Sequence, residues 1–222
     1  MIAEKKSKKM DKTIQKNGLI KKDLLILSPF IEKPWDEFTL TEIKKITKKK
    51  SHHYVFEALK KFTKLKLLNE TKKGNTNIYN INLENKNLHY LAFVESIRKE
   101  NMIDIPYQII EQITKNIKSP FYTLLIGGSY AQGKQKSKSD LDIVFIIPNC
   151  EDKKLYKVAL KEGELTIPEI HGYIFTMGEF CNMLINNEFN YGKELARKHI
   201  IYYGAEVYFK ILFEGIKNGF KG

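Results

Sequence analysis

The sequence predicts an α+β protein in two parts, and three observations carry that prediction. Apolar residues recur at helical spacing from Ile20 to Leu65, and two short alternating segments then follow at 66–71 and 77–82. Further on, two apolar runs on either side of a Gly127-Gly128-Ser129 turn read as neighbouring strands, from Leu124 and up to Ile147. Helical patterns before and after those runs make this second part a small mixed sheet flanked by helices. The boundaries read from these patterns are a basic flexible arm at 1–17, a helical and hairpin domain at 18–86, a connector helix at 87–104 and the sheet domain at 105–222.

Charge divides the chain the same way. Of a net +12 over 222 residues, residues 1–90 hold 21 lysines against 10 acids, a net +11, and the remainder is close to neutral. An excess of that sign on one part of a chain implies a polyanionic partner, nucleic acid before membrane. No apolar run is long enough to cross a bilayer, and the lysine-rich start lacks the hydrophobic segment of a signal peptide, so a cytoplasmic protein with no membrane partner is expected. Cys150 and Cys181 are too few and too far apart for a structural zinc site and fit free thiols in a reducing compartment.

In chain order, Leu24, Leu25, Leu27 and Phe30 mark a first helix that Pro34 and Trp35 interrupt. Thr39-Leu-Thr-Glu42 reads as a capping box opening a short helix with Leu40, Ile43 and Ile46 inward. Ser51 caps a longer helix whose Val55, Leu59, Phe62 and Leu65 form one stripe. The two alternating segments joined by Lys72-Lys-Gly-Asn-Thr76 form a hairpin. Leu88, Leu91, Val94 and Ile97 space a connector helix, and Ile105 to Ile117 continues as an amphipathic helix with Pro106 in its first turn. The tail from Gly192 onward reads as two apolar helices separated near Gly204, with enough aromatic residues for a homodimer surface.

Helix, helix, basic helix and hairpin in that order resemble a winged helix-turn-helix domain. The resemblance implies duplex DNA as partner, with Ser51, His52, His53, Tyr54, Lys60 and Lys61 presented by the second helix of the pair and Lys72 and Lys73 by the wing. Arginine is absent from this half, so backbone contact is expected before base reading. Winged domains also dock proteins or dimerise, and that alternative stays open.

Asp140 and Asp142 stand on the second apolar run, where alternation places both carboxylates on one face and Leu141, Ile143 and Phe145 on the other. Two acids so close suit a hard divalent cation, Mg²⁺ by default. The glycines permit a sharp turn and close approach of a ligand, letting Ser129 and the amides after it face phosphate oxygens. Gly128-Ser129, ten residues, then Asp140-Leu141-Asp142, with Ala131, Gly133 and Ser139 between and beside them, resembles the signature of the minimal, archaeal-type DNA polymerase β-like nucleotidyltransferases.

That resemblance implies two metal ions held by three carboxylates, with Asp140 and Asp142 bridging them and an NTP, ATP by default, as substrate. It further implies that Gly127, Gly128, Ser129, Lys134, Lys138 and Ser139 bind the nucleotide. The sequence departs from the family at the third carboxylate, where His171 stands in the strand 169–176 and Glu169 lies two residues earlier on the same face. Either Glu169 completes the catalytic and metal set, or the site, with His171 a poorer ligand for Mg²⁺ than a carboxylate though acceptable to Mn²⁺, binds nucleotide and one metal and turns over slowly or not at all. Two functions follow: transfer of a nucleoside monophosphate to an unidentified acceptor, a protein among the candidates, or a DNA-binding regulator or antitoxin-like module whose transferase fold only binds nucleotide or dimerises.

Overall fold

The computed structural model describes residues 19, 21–84, 86–101, 105–150, 153–163 and 166–222. The predicted arm at 1–17 lies outside the described residues. The first part opens with the helical turns α1 (Lys21–Leu24) and α2 (Ser28–Glu32), joined by a 3-10 turn, Leu25–Leu27. Strand β1 (Phe38–Thr39) leads into α3 (Leu40–Ile46), which begins at the expected capping box. The Glu42 amide donates to Thr39 Oγ1 at 3.3 Å, and the Thr39 amide donates to Glu42 Oε2 at 2.7 Å. Ser51 then caps α4 (His52–Lys64) by accepting from the Tyr54 amide, and Val55, Ala58, Leu59 and Phe62 form its buried stripe.

Strands β2 (Leu68–Lys73) and β3 (Thr76–Ile81) pair around a two-residue turn at Gly74 and Asn75, tighter than the five-residue turn the sequence suggests. Gly74 has φ +59°, the sign such a hairpin turn needs. The short strand β1, not anticipated from sequence, pairs with β3 to give a three-stranded antiparallel sheet ordered β1-β3-β2. Two residues are too few to show an alternation.

Helix α5 (Leu88–Glu100) buries Leu88, Leu91, Val94 and Ile97 as their spacing predicts. After α6 (Tyr107–Thr114) come β4 (Thr123–Ile126), the single turn α7 (Gly128–Ala131), β5 (Leu141–Ile147) and α8 (Lys153–Lys161). The chain ends with β6 (Ile170–Thr176), α9 (Met177–Ile185), α10 (Tyr191–Arg197), β7 (Ile200–Tyr203) and α11 (Ala205–Lys217). The sheet is mixed and ordered β6-β5-β4-β7, with β5 and β6 parallel and the other pairs antiparallel. Among the described residues no helix is long and apolar enough to cross a membrane.

Alternation along β5 sorts the interior into two layers. Leu141, Ile143, Phe145 and Ile147 join Ile110, Ile113 and Tyr156 on one face. Val144 and Ile146, on the face of Asp142, join Phe180, Leu184, Phe209 and Leu212. This second layer is continuous through α5 with Leu59 and Phe62 of the first part, so the change of architecture near residue 87 is no gap in packing. The tail departs from expectation: between α10 and α11 lies a strand. Ile200-Ile-Tyr-Tyr203 is β-branched and aromatic, it finds a free edge on β4, and Gly204 at φ +78° turns the chain into the last helix. The short helix α9, also missed, starts at a second capping box, Thr176 with Glu179.

A buried acid holds α5 to β7. Glu95 is 1 % exposed and accepts from Arg98 Nε at 2.8 Å and Nη2 at 2.7 Å, a two-pronged pair, and from the Ile201 amide at 3.1 Å. Arg98 Nη2 also donates to the His199 carbonyl at 2.6 Å. The His199 ring is buried beside Tyr208, with Nδ1 2.7 Å from the Leu195 carbonyl. A carbonyl only accepts, so Nδ1 carries the proton of a neutral imidazole. Burial, with the Arg98 charge close by, pushes the pKa of His199 down to about 4. Between pH 6.5 and 4 the unfolded chain therefore binds a proton that the folded chain refuses, and stability falls as pH drops through that window. The expected loss attributable to His199 is roughly 3 kcal/mol by pH 4. Urea unfolding of the wild type and of His199→Asn, which keeps a side-chain N–H but cannot titrate, measures it. The Asn variant should show the shallower pH dependence, and equal slopes would exclude His199 as the cause.

Candidate active site

The Gly-Gly-Ser turn leaves the end of β4 and lies against the start of β5. The Gly127 amide donates to the Asp142 carbonyl at 2.9 Å, which ties the turn to the acid-bearing strand. Gly128 has φ +59°, and a Cβ there would overlap the Asp142 carboxylate. Only glycine serves at this position, for reasons of both backbone conformation and space. A Cβ at Gly127 would lie 3.0 Å from both Tyr191 Oη and Leu195 Cδ2. Ser129 follows in α7, and its carbonyl accepts from the Lys134 amide at 2.9 Å, closing the loop that leads to the acids.

Asp140 lies just before β5 and Asp142 is its second residue. The parallel pairing of β5 and β6 sets His171 directly beside Asp142, where the resemblance leads one to expect a third carboxylate. His171 Nε2 is 3.8 Å from Asp140 Oδ2, and His171 Nδ1 is 3.9 Å from Asp142 Oδ1, so the ring spans the pair. No lysine or arginine forms an ion pair with either acid among the described residues. Burial raises the pKa of Asp142; His171 opposes the shift, and the charges of Asp140 and Glu194 add to it. Two carboxylates with no lysine or arginine partner at a half-open strand end fit a divalent cation, although no group of three His, Cys, Asp or Glu side chains is preassembled to hold one among the described residues.

Glu169 is exposed, and it meets the strand through its backbone: its carbonyl accepts from the Leu141 amide at 2.8 Å. The third carboxylate whose charge reaches Asp142 is instead Glu194, from α10. Tyr191 lies one turn before it and was likewise missed from sequence. Its ring stands 4.7 Å from Tyr173, and its hydroxyl is buried without a hydrogen-bond partner among the described residues. Burial raises its pKa, with Asp142 adding to the shift. The spacing of Tyr191 and Glu194 on one helix face was readable; that this face meets Asp142 was not. Of the other expected nucleotide contacts, Lys134 and Lys138 are exposed, and the Ser139 hydroxyl accepts from the Lys136 amide at 2.8 Å.

On the first part of the chain, His52, His53, Lys60 and Lys72 are exposed. Lys60 Nζ is 3.4 Å from Glu57 and 4.5 Å above the Phe56 ring, and Lys73 pairs with Glu37. Tyr54 and Lys61 turn inward to the buried Asp23: the tyrosine hydroxyl donates to it at 2.8 Å and the lysine pairs with it at 2.9 Å. Burial, together with that hydrogen bond, pushes the Tyr54 pKa up to about 12. Ser51 is occupied as the cap of α4.

No curated protein and no solved structure matches the chain. Residues 90–195, which contain the glycine turn, both aspartates and the strand that carries His171, match the family model described as Nucleotidyltransferase domain. That match supports a nucleotidyltransferase domain in this part of the chain, with nucleotidyl transfer as its general chemistry.

Proposed function

We propose that the protein transfers a nucleoside monophosphate, AMP from ATP, to an acceptor hydroxyl, and that its first part is a winged helix-turn-helix that holds duplex DNA. The observation that carries the transfer reading is the carboxylate pair set against a turn with no room for a side chain. Asp140 and Asp142 would hold Mg²⁺ or Mn²⁺, and the bound cation supplies charge stabilisation at the triphosphate and a lowered pKa for the attacking hydroxyl. The turn from Gly127 to Ser129 brings backbone close to the phosphates, and Lys134 and Lys138 offer positive charge beside it. The acceptor oxygen bonds to the α-phosphorus as the bond to the leaving pyrophosphate breaks, and the hydroxyl proton passes to a neighbouring acid, Glu169 or Glu194. The unpartnered Tyr191 hydroxyl, costly to bury alone, is read as a donor to bound nucleotide.

A second reading rests on His171. An imidazole in register with Asp142, in place of a third carboxylate, suits a module that binds nucleotide without turning it over, a DNA-bound regulator or an antitoxin-like partner. Labelled ATP with Mg²⁺ or Mn²⁺ and candidate acceptors separates the two. Label transferred by the wild type and lost in Asp142→Asn establishes the enzyme; nucleotide bound with no transfer to any acceptor establishes the regulator.

Three outcomes are expected of variants. In metal-free buffer at neutral pH, Asp142→Asn should melt at a higher temperature than the wild type, because it removes a half-buried charge that burial and two neighbouring acids penalise. Added Mg²⁺ should raise the wild-type melting temperature and narrow the gap. Tyr191→Phe should leave the melting temperature of the nucleotide-free protein unchanged or higher, since it deletes an unsatisfied buried hydroxyl, while weakening ATP binding by roughly tenfold, about the worth of one hydrogen bond. Calorimetric titration decides, and unchanged ATP affinity removes Tyr191 from the site. Lys60→Glu with Lys72→Glu should weaken duplex binding and flatten its salt dependence, with the slope reduced by about 0.9 for each phosphate no longer neutralised. Unaltered duplex affinity would clear the first part of the chain of that role.

A further inference from the structure

A cleft of about 630 Å³ lies between the two parts of the chain, one helical turn beyond the glycine corner. The first part contributes Ile31, Glu32, Lys33 and Trp35, and the second contributes the stretch after Ser129 and the end of α10. Arg98 also reaches it, but is already engaged by Glu95. Five other cations, Lys33, Lys134, Arg197, Lys198 and Lys221, face a single side-chain carboxylate, Glu32. Lys134, Lys198 and Lys221 form no ion pair among the described residues, and Lys33 is 3.9 Å from Asp36. Lys221 and Gly222 line one wall: Arg197 Nη2 donates to the Gly222 carbonyl at 2.7 Å, and the buried Phe220 holds this segment edge-on to Trp35, with ring centres 5.2 Å apart.

We infer that this cleft binds a single strand of nucleic acid by its phosphodiester backbone. Resting on the transfer reading above, that strand is the acceptor whose terminal hydroxyl reaches Asp140 and Asp142. Charge and position carry the inference. Lysines spaced along a groove match successive phosphates as point charges without demanding the planar recognition that arginine gives a carboxylate. Lys134 belongs both to the loop that leaves the glycine corner and to the cleft wall, so a strand lying in the cleft is led toward the acid pair. Trp35 and Ala131, both part-exposed, provide apolar surface among the cations, as single-strand grooves use for bases. The cleft needs both parts of the chain, which gives the basic first part a role in the reaction as well as in anchoring DNA.

Fluorescence anisotropy of the full chain with short single-stranded RNA and DNA oligonucleotides, over a range of salt, tests this. Lys198→Glu with Lys221→Glu alters two exposed, unpaired cations outside the nucleotide site, and Lys198→Gln with Lys221→Gln provides a milder version. Both should bind single strands more weakly, by roughly tenfold or more for the Glu pair, with a salt slope shallower by about 1.4, or about 0.7 for each phosphate no longer neutralised. ATP affinity should stay at the wild-type value. Unchanged strand affinity in both pairs overturns the inference, as does a loss confined to Lys60→Glu with Lys72→Glu. Displacement of the strand by polyglutamate as readily as by unlabelled oligonucleotide also overturns it, in favour of an acidic protein partner. If the wild type binds no ATP but loses strand binding with Lys198 and Lys221, the cleft stands and the transfer reading falls. If ATP binds and transfers while strand binding ignores those lysines, the cleft falls alone.

Discussion

Two carboxylates at the end of a buried strand, pressed against a turn that has room for no side chain, set the terms for the second half of this protein. Holding Asp142 partly out of water beside Asp140 is unfavourable, and it becomes tolerable where a cation or a charged ligand completes the group. Everything around the pair fixes its position. The Gly127 amide bonds the Asp142 carbonyl, β4 and β6 flank β5 on either side, and two apolar layers cover its faces. A strand buried on both sides cannot shift register without moving every side chain to the opposite layer, so the acids are anchored by the core rather than by their own contacts.

The connector helix extends that rigidity to the first half. Glu95 is buried, yet its oxygens are met by the Arg98 guanidinium and the Ile201 amide, so the cost of burying the charge is offset by well-directed bonds. Truncating Arg98 would strand the Glu95 carboxylate inside the protein, at a cost of about 3–5 kcal/mol. The same arginine holds the His199 carbonyl, and β7 is thereby locked between α5 and β4. The basic cleft lies beside this clasp, for Arg98 lines it between the turn at Ile31 to Trp35 and the end of α10.

The cations of the first half divide between support and surface. Lys61 and Tyr54 stood out as surface candidates, yet both are engaged by Asp23, which is 2 % exposed and needs them. What remains outward is a smaller set, His52, His53, Lys60 and Lys72, on the first turn and outer face of α4 and on the hairpin. A helix face that reads as uniformly basic is thus part support and part surface. The cleft shows the converse, because its cations lie far apart in the sequence, at 33, 134, 197, 198 and 221, and form a cluster only after folding.

Local chemistry was legible in the sequence. The Thr39 to Glu42 capping box, the Ser51 cap, the stripe of α4, the spacing of α5 and the alternation of β5 each depend on residues within a few positions of one another, and each forms as its pattern requires. The glycine corner and the aspartate pair were legible for the same reason, along with the substitution of His171 for an acid. The strand at Ile200–Tyr203 was misread as helix because its amphipathic spacing is compatible with either state, and only the vacant edge of β4 decided between them. Tyr191, Glu194 and the Glu95 clasp owe their roles to partners from roughly 50 to more than 100 positions away, such as Asp142 and Ile201. Propensity and periodicity act over a turn or a strand, whereas burial and charge act through space, and the tertiary fold alone decides which distant residues share it.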